Sequence, residues 1–185
     1  MIYYWKKIVK SSIPLLTLCI IIEIFAGQIL QGNLNKLLLL PIFLISIPVI
    51  NGVGGNIGSI LGARMASALH MGSIELTIKD KNVQKNFFTT LFIGLITYSV
   101  LAILIYYVSS FGDIQMNVGL MEFVSIILGT GLLLVFVISI ISIITAFWSF
   151  KKGFDPDDMV APVVTTAGDT LGIVFLFVLI GVVGL

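Results

Sequence analysis

The chain has 185 residues, of which 58% are hydrophobic and only 10% charged, with a mean hydropathy of +1.17, against roughly 25% charged residues in an average soluble domain. Such a composition excludes a soluble globular enzyme and points to an integral membrane protein whose first partner is the lipid bilayer. A formal net charge of +1 excludes the strongly basic face of a nucleic-acid binder, and a single cysteine, Cys19, excludes an internal disulfide partner and a thiolate metal site.

About 20 apolar residues make one helical span, so the chain has room for about five. Apolar segments fall at 13–30, 37–71, 87–110, 120–150 and 159–184. They predict an all-α membrane protein of five transmembrane helices, a single domain over residues 1–185 with no soluble regulatory domain. The first segment follows Lys6, Lys7 and Lys10, is longer than a signal-peptide core and has no small-residue cleavage site after it, so it reads as a retained span. Within it Glu23 stands among Ile20, Ile21, Ile22, Ile24 and Phe25. A carboxylate at that depth reads as a second cation ligand, a proton carrier or a hydrogen-bond partner of a neighbouring helix. Cys19 reads as a small core residue.

The second segment is too long and too interrupted for one ordinary span. It holds Pro41, Pro48 and the cluster Asn51-Gly-Val-Gly-Gly-Asn56-Ile-Gly58, which loosens backbone hydrogen bonding and predicts a helix broken at the Gly/Asn cluster. Non-helical backbone at membrane depth is tolerated only where protein or a wet cavity covers it, so Asn56 becomes a candidate ion ligand. The alternative is close helix packing through Gly52, Gly55 and Ser59, which leaves Asn56 unexplained. Farther on, Arg64 is expected to reach for the interface or to pair with an acid such as Glu75, and His70 to lie at the interface.

Lys79, Lys81 and Lys85 lie between the second and third segments and Lys151 and Lys152 between the fourth and fifth, whereas the other connections hold only Lys36. By the positive-inside rule the N-terminus is cytoplasmic and, after five spans, the C-terminus lies outside the cell membrane. The fifth span opens with Asp155 as N-cap, Pro156 at the first helical position and Asp157 and Asp158 where the helix dipole favours acids. These acids would also draw cations to the mouth of a pore. Along it, Pro162, Thr165, Thr166, Asp169 and Gly172 recur at helical spacing and share one side. A charged side chain at the centre of a membrane helix costs about 2.5–3.5 kcal/mol, so Asp169 must face a partner, a water-filled cavity or an ion path.

At these two motifs the chain resembles the MgtE-type magnesium transporters and their eukaryotic solute-carrier relatives. Pro48-Val-Ile-Asn-Gly-Val-Gly-Gly-Asn56-Ile-Gly resembles the glycine and asparagine signature of that family's second helix. Asp155-Pro-Asp-Asp, followed by Pro162 and Ala167-Gly-Asp169, resembles its last-helix signature. With the span count and orientation, the resemblance covers essentially the whole chain, and Arg64 with its spacing to Gly72 is closer to the solute-carrier branch. The resemblance implies a cation pore on the axis of a homodimer, with Asp169 as the central carboxylate, Asn56 near it, and backbone carbonyls of Gly52 and Thr165 holding a hydrated ion. Three departures stand out: Gly58 and Ile60 replace more polar residues of some members, no N-terminal regulatory region precedes the spans, and only one five-helix unit is present, which implies two chains per pore.

The chemistry suits Mg2+ as the transported ion. Magnesium demands octahedral oxygen ligands and dehydrates reluctantly, so one carboxylate, an amide and carbonyls can hold it through its water shell, and no His/Cys cluster favours zinc, copper or iron. Two Asp169 side chains meeting on an axis would repel unless a cation lay between them. A Na+- or H+-coupled exchanger remains open beside a channel, with Glu23 as the coupling group. Thr166-Ala-Gly-Asp169 also resembles the glycine-aspartate signature of intramembrane aspartyl proteases, but a threonine replaces its first glycine, and that chemistry needs a second carboxylate. A non-transporting membrane subunit is the remaining reading.

Overall fold

A computed structural model describes residues 5–112 and 117–185, with the side chains of residues 5–8 and 11 outside the description. Lys6 and Lys7 are among those side chains. The described residues form six helices in chain order: α1 (Trp5–Gly32), α2 (Leu34–Leu39), α3 (Pro41–His70), α4 (Lys81–Phe111), α5 (Leu120–Lys152) and α6 (Pro156–Val183). All except α2 are long and apolar enough to cross a membrane. The protein is therefore an all-helical, multi-pass membrane protein with five spans.

The interruption of the second span lies elsewhere than the sequence predicts. The helix α3 runs unbroken through Asn51–Gly58, and the break falls at Leu40, which ends α2 with φ −129° and ψ 66°. The physical cause is Pro41, because a residue before proline is pushed out of the α region. The glycines do not melt α3 because they are its packing surface. Gly54, Gly58 and Gly62, spaced four apart, face Leu134 and Tyr98, then Ile138 and Val164, then Val160 and Ser142, so closely that a Cβ at any of them would collide with a neighbour. Small residues at this spacing let helices approach closely in a membrane. Close packing is thus realised through Gly54, Gly58 and Gly62 and, of the three residues the packing alternative named, through Gly55; Gly52 has nothing near it and Ser59 is only partly buried.

Three side-chain-to-backbone bonds fasten the same stretch. Tyr98 Oη donates to the Ile50 carbonyl at 2.7 Å, Ser142 Oγ to the Gly58 carbonyl at 2.9 Å, and Asn51 Nδ2 to the Asp169 carbonyl at 3.0 Å. They tie α3 to α4, α5 and α6 in turn. Each such interhelical bond contributes about 0.6 kcal/mol on average in a membrane, up to about 1.7. Around them Phe43, Ile50, Leu61, Tyr98, Phe123, Leu134 and Ile138 are wholly buried.

Local signals set the ends of α4, α5 and α6. Asp80 caps α4 by accepting from the Asn82 and Val83 N–H groups, and Asp155 caps α6 by accepting from Asp157 N–H at 3.1 Å, with Pro156 in its first turn. Gly153 ends α5 at φ 75°, a left-handed position that glycine takes without strain. His70, at the end of α3, is exposed and lies 3.7 Å from the Asp155 carboxylate. Arg64 is exposed, and no ion pair joins it to Glu75 among the described residues.

Candidate functional site

The helix α6 is the hub of the fold, since α1, α3 and α5 all pack on it. On one side of it, α3 approaches until backbone meets backbone. A Cβ on Gly168 would lie 3.3 Å from the Gly55 nitrogen and 3.6 Å from the Asn51 carbonyl, and one on Gly55 would lie 3.2 Å from Thr165 Cγ2. On another side, α1 packs against Pro162 and Thr166: Cys19 Sγ donates to the Pro162 carbonyl at 3.7 Å, and Thr166 Oγ1 donates to Glu23 Oε1 at 3.0 Å. Cys19 is buried, as the sequence leads one to expect.

Helical spacing puts Asp169 between these two sides of α6. Because α1 and α3 do not touch each other among the described residues, a groove separates them, and α6 is its floor. Asp169 is half-buried on that floor and Thr165 is exposed beside it. On the α3 wall, Gly52 and Asn56 lie one turn apart and both are exposed. On the α1 wall, Glu23 is exposed while holding Thr166, one turn before Asp169. Helical spacing thus places the five residues singled out in the sequence on the sides of α1, α3 and α6 that border this gap. No hydrogen bond joins Asn56 to Asp169 among the described residues, and the carbonyl of Gly52 lies within a continuous helix, not at a break. Its second lone pair is still available to a ligand.

Thr165 Oγ1 is turned inward along its own helix, donating to the Ala161 and Pro162 carbonyls at 2.9 and 3.1 Å. That leaves its backbone rather than its hydroxyl for the groove. Among the described residues no three His, Cys, Asp or Glu side chains converge. One chain offers the groove two carboxylates, an amide and backbone oxygens, a set suited to a cation that keeps water ligands.

One residue at the site escaped sequence reasoning. Asn51 is buried to 6% exposure, and its amide holds the backbone of Asp169. Within a motif read as one cluster it looked equivalent to Asn56. Five residues along a helix turn by about 140°, so the two asparagines face different ways. Periodicity could have separated them: Asn51 belongs with Gly54, Gly55 and Gly58, all buried, and Asn56 with Gly52, Ser59 and Ala63 on the more open side.

A family model described as MgtE, divalent cation transporter, matches residues 47–179, which include most of α3, all of α4 and α5 and most of α6 but leave out α1. Solute carrier family 41 member 2 of Mus musculus is 31% identical over 176 residues, 88% of this chain and 30% of that protein. The Gallus gallus protein of the same name is 32% identical over 178 residues, 89% and 30%, and the Homo sapiens one 30% over 178 residues, 88% and 30%. The chain spans about 30% of the length of these relatives. It belongs to the MgtE family of divalent cation transporters, and so to a family of transporters and not of enzymes.

Proposed function

We propose that this MgtE-family chain forms a single five-span membrane domain that carries divalent cations, Mg2+ above all, across the cell membrane through a path on the axis of a homodimer. The observation that carries the reading is Asp169, half-buried on the floor of a groove whose walls do not meet. Left facing hydrocarbon, that carboxylate costs about 2.5–3.5 kcal/mol, so a second copy of the chain covering the groove removes the penalty and lines a polar path. Asp169 is the central ligand, with Asn56 and the carbonyls of Gly52 and Thr165 on either side and Glu23 as a further acid. Magnesium fits because such a site binds a hydrated octahedral ion through its waters. The N-terminus is cytoplasmic and the C-terminus outside, from the lysine distribution. A Na+- or H+-coupled exchanger is the second reading, favoured by the Glu23 carboxylate bonded to Thr166 next to the main ligand.

The test is Mg2+ uptake into proteoliposomes under imposed magnesium, sodium and pH gradients. A divalent cation about 5 Å from a carboxylate at an effective dielectric of about 20 interacts by about 6–7 kcal/mol. With only half of that surviving competition from hydration, Asp169→Asn slows uptake by more than ~100-fold. Asn56→Ala, which removes a neutral ligand, slows it less. Uptake by Asp169→Asn at near the parent rate would refute the reading.

A further inference from the structure

Asn51 is the least explained polar group in the membrane core. Its side-chain oxygen is buried without a hydrogen-bond partner among the described residues, although its nitrogen donates to the Asp169 carbonyl. A buried unpaired acceptor is costly, so something must hold the amide in this orientation. The neighbour is Gly172, where a Cβ would collide with Asn51 Oδ1. The Cα–H bond that stands in place of that Cβ therefore points at the oxygen, a weak donor of the kind that recurs at close helix crossings. Both ends of the amide are then accounted for. Nδ2 holds residue 169 and Oδ1 holds residue 172, three positions and nearly one turn farther along α6.

We infer that Asn51 is a positioning residue: a two-point clamp from α3 that fixes the height and rotation of the 169–172 turn of α6, and with it the carboxylate of Asp169. This rests on the reading of Asp169 as the cation ligand. The hydrogen bond of the clamp, at 3.0 Å, is made to the backbone carbonyl of Asp169. Gly172 takes part through the hydrogen that any other residue would replace by a Cβ. Asn51 lies on the packed side of α3 and Asn56 on the open side; one sets the ligand and the other borders the ion. The Tyr98 bond to the carbonyl of Ile50, the residue before Asn51, holds the clamp itself in place at 2.7 Å.

The experiment compares the full chain with Asn51→Leu, Gly172→Ala and Asp169→Asn in proteoliposomes, at equal amounts of protein that elutes as one folded species. The readouts are KM and maximal rate for Mg2+, and the discrimination of Mg2+ over Ca2+, which depends on ligand placement because calcium tolerates irregular coordination. Asn51→Leu keeps the volume and removes both contacts; Gly172→Ala keeps Asn51 and displaces its oxygen. Both should raise KM about three-fold, the equivalent of one average interhelical hydrogen bond, and lower discrimination by a similar factor. A purely structural role would lower thermal stability and maximal rate while leaving KM and discrimination at parent values. That result, with Asp169→Asn inactive, overturns the clamp and leaves the cation-ligand reading standing. Asp169→Asn active at near the parent rate overturns the ligand reading and the clamp with it. Where Asn51→Leu does not fold, Gly172→Ala decides, because it meets only the tip of a side chain.

Discussion

Replacing Gly131 by alanine tests how the core around the site is held. Gly131 on α5 receives the ring of Tyr98, and a Cβ there would collide with that ring. The ring cannot simply swing away, because Tyr98 is wholly buried and its hydroxyl is bonded to the Ile50 carbonyl. Overpacking of this kind costs about 1–3 kcal/mol, and loss of the interhelical bond adds about 0.6 kcal/mol, up to 1.7. Alanine gives back about 1 kcal/mol of helix propensity. The net expectation is destabilisation by about 1–3 kcal/mol. Gly27→Ala is the control, since Gly27 lies within α1 with nothing within 4 Å of its would-be Cβ, and only the propensity gain applies. Equilibrium unfolding from mixed micelles, followed by near-ultraviolet circular dichroism, measures both. Should Gly131→Ala and Gly27→Ala unfold at the same midpoint, the close packing of Tyr98 on Gly131 would be refuted.

Glu23→Gln keeps an acceptor for Thr166 but removes the charge, so Mg2+ uptake driven by its own gradient should fall less than in Asp169→Asn; a fall equal to that variant would make Glu23 a principal ligand, and loss of pH-gradient dependence alone would identify a coupling group. Asp80, outside the spans, has its carboxyl held below the ordinary value of 3.8 chiefly by the Glu75 N–H and also by those of Asn82 and Val83, against some desolvation. A folded pKa depressed in this way means that the cap's stabilisation is present above the unfolded pKa and is lost as pH falls through the folded one. The amide resonances of Glu75 and Asn82 should titrate with a midpoint under 3.8, and a midpoint at or above it would contradict the cap. A cysteine introduced at position 185 should label from outside the cell, with Cys19 silent because it is buried, and one at Gly52 should cross-link two chains; labelling of 185 from the cytoplasm, or no cross-linked dimer, would remove the orientation or the assembly respectively.

The number of spans, the capping of α6 and its polar side were legible because they follow from local rules: twenty apolar residues, an Asp-Pro start, a repeat of small and polar residues every three or four positions. The break in the second span was misplaced. Glycine-rich sequence reads as weak helix when taken alone, and what makes α3 continuous is the side chains of Leu134, Ile138 and Val160 filling the space beside its glycines. That information lies in other helices. Pro41, by contrast, acts on its own neighbour, and the rule for the residue before proline, which the reading of the Gly/Asn cluster passed over, would have placed the break at Leu40. The split between Asn51 and Asn56 was readable from helical spacing only once the helix was known to be unbroken.

The packing of the five spans is uneven in a way that bears on transport. Just over half of the apolar window of α5 is buried and half of that of α3, but only 11% of that of α1. The three helices α3, α5 and α6 are locked by glycine contacts and by the Asn51 and Ser142 bonds. Among the described residues, the polar and sulfur contacts of α1 with α6 are the Glu23–Thr166 and Cys19–Pro162 bonds. Separating α3 from α6 would open backbone-to-backbone contacts and strand a buried amide, whereas shifting α1 breaks two bonds and exposes little apolar surface. Local stability follows contact density, so within one chain the floor carrying Asp169 and the wall carrying Asn56 are held together more tightly than the wall carrying Glu23 is held to them. A ligand site needs its main carboxylate fixed to within a fraction of an ångström. On the proposed reading, the sequence meets that need by placing Asp169 on the tightly packed side of the groove and Glu23 on the loosely packed one.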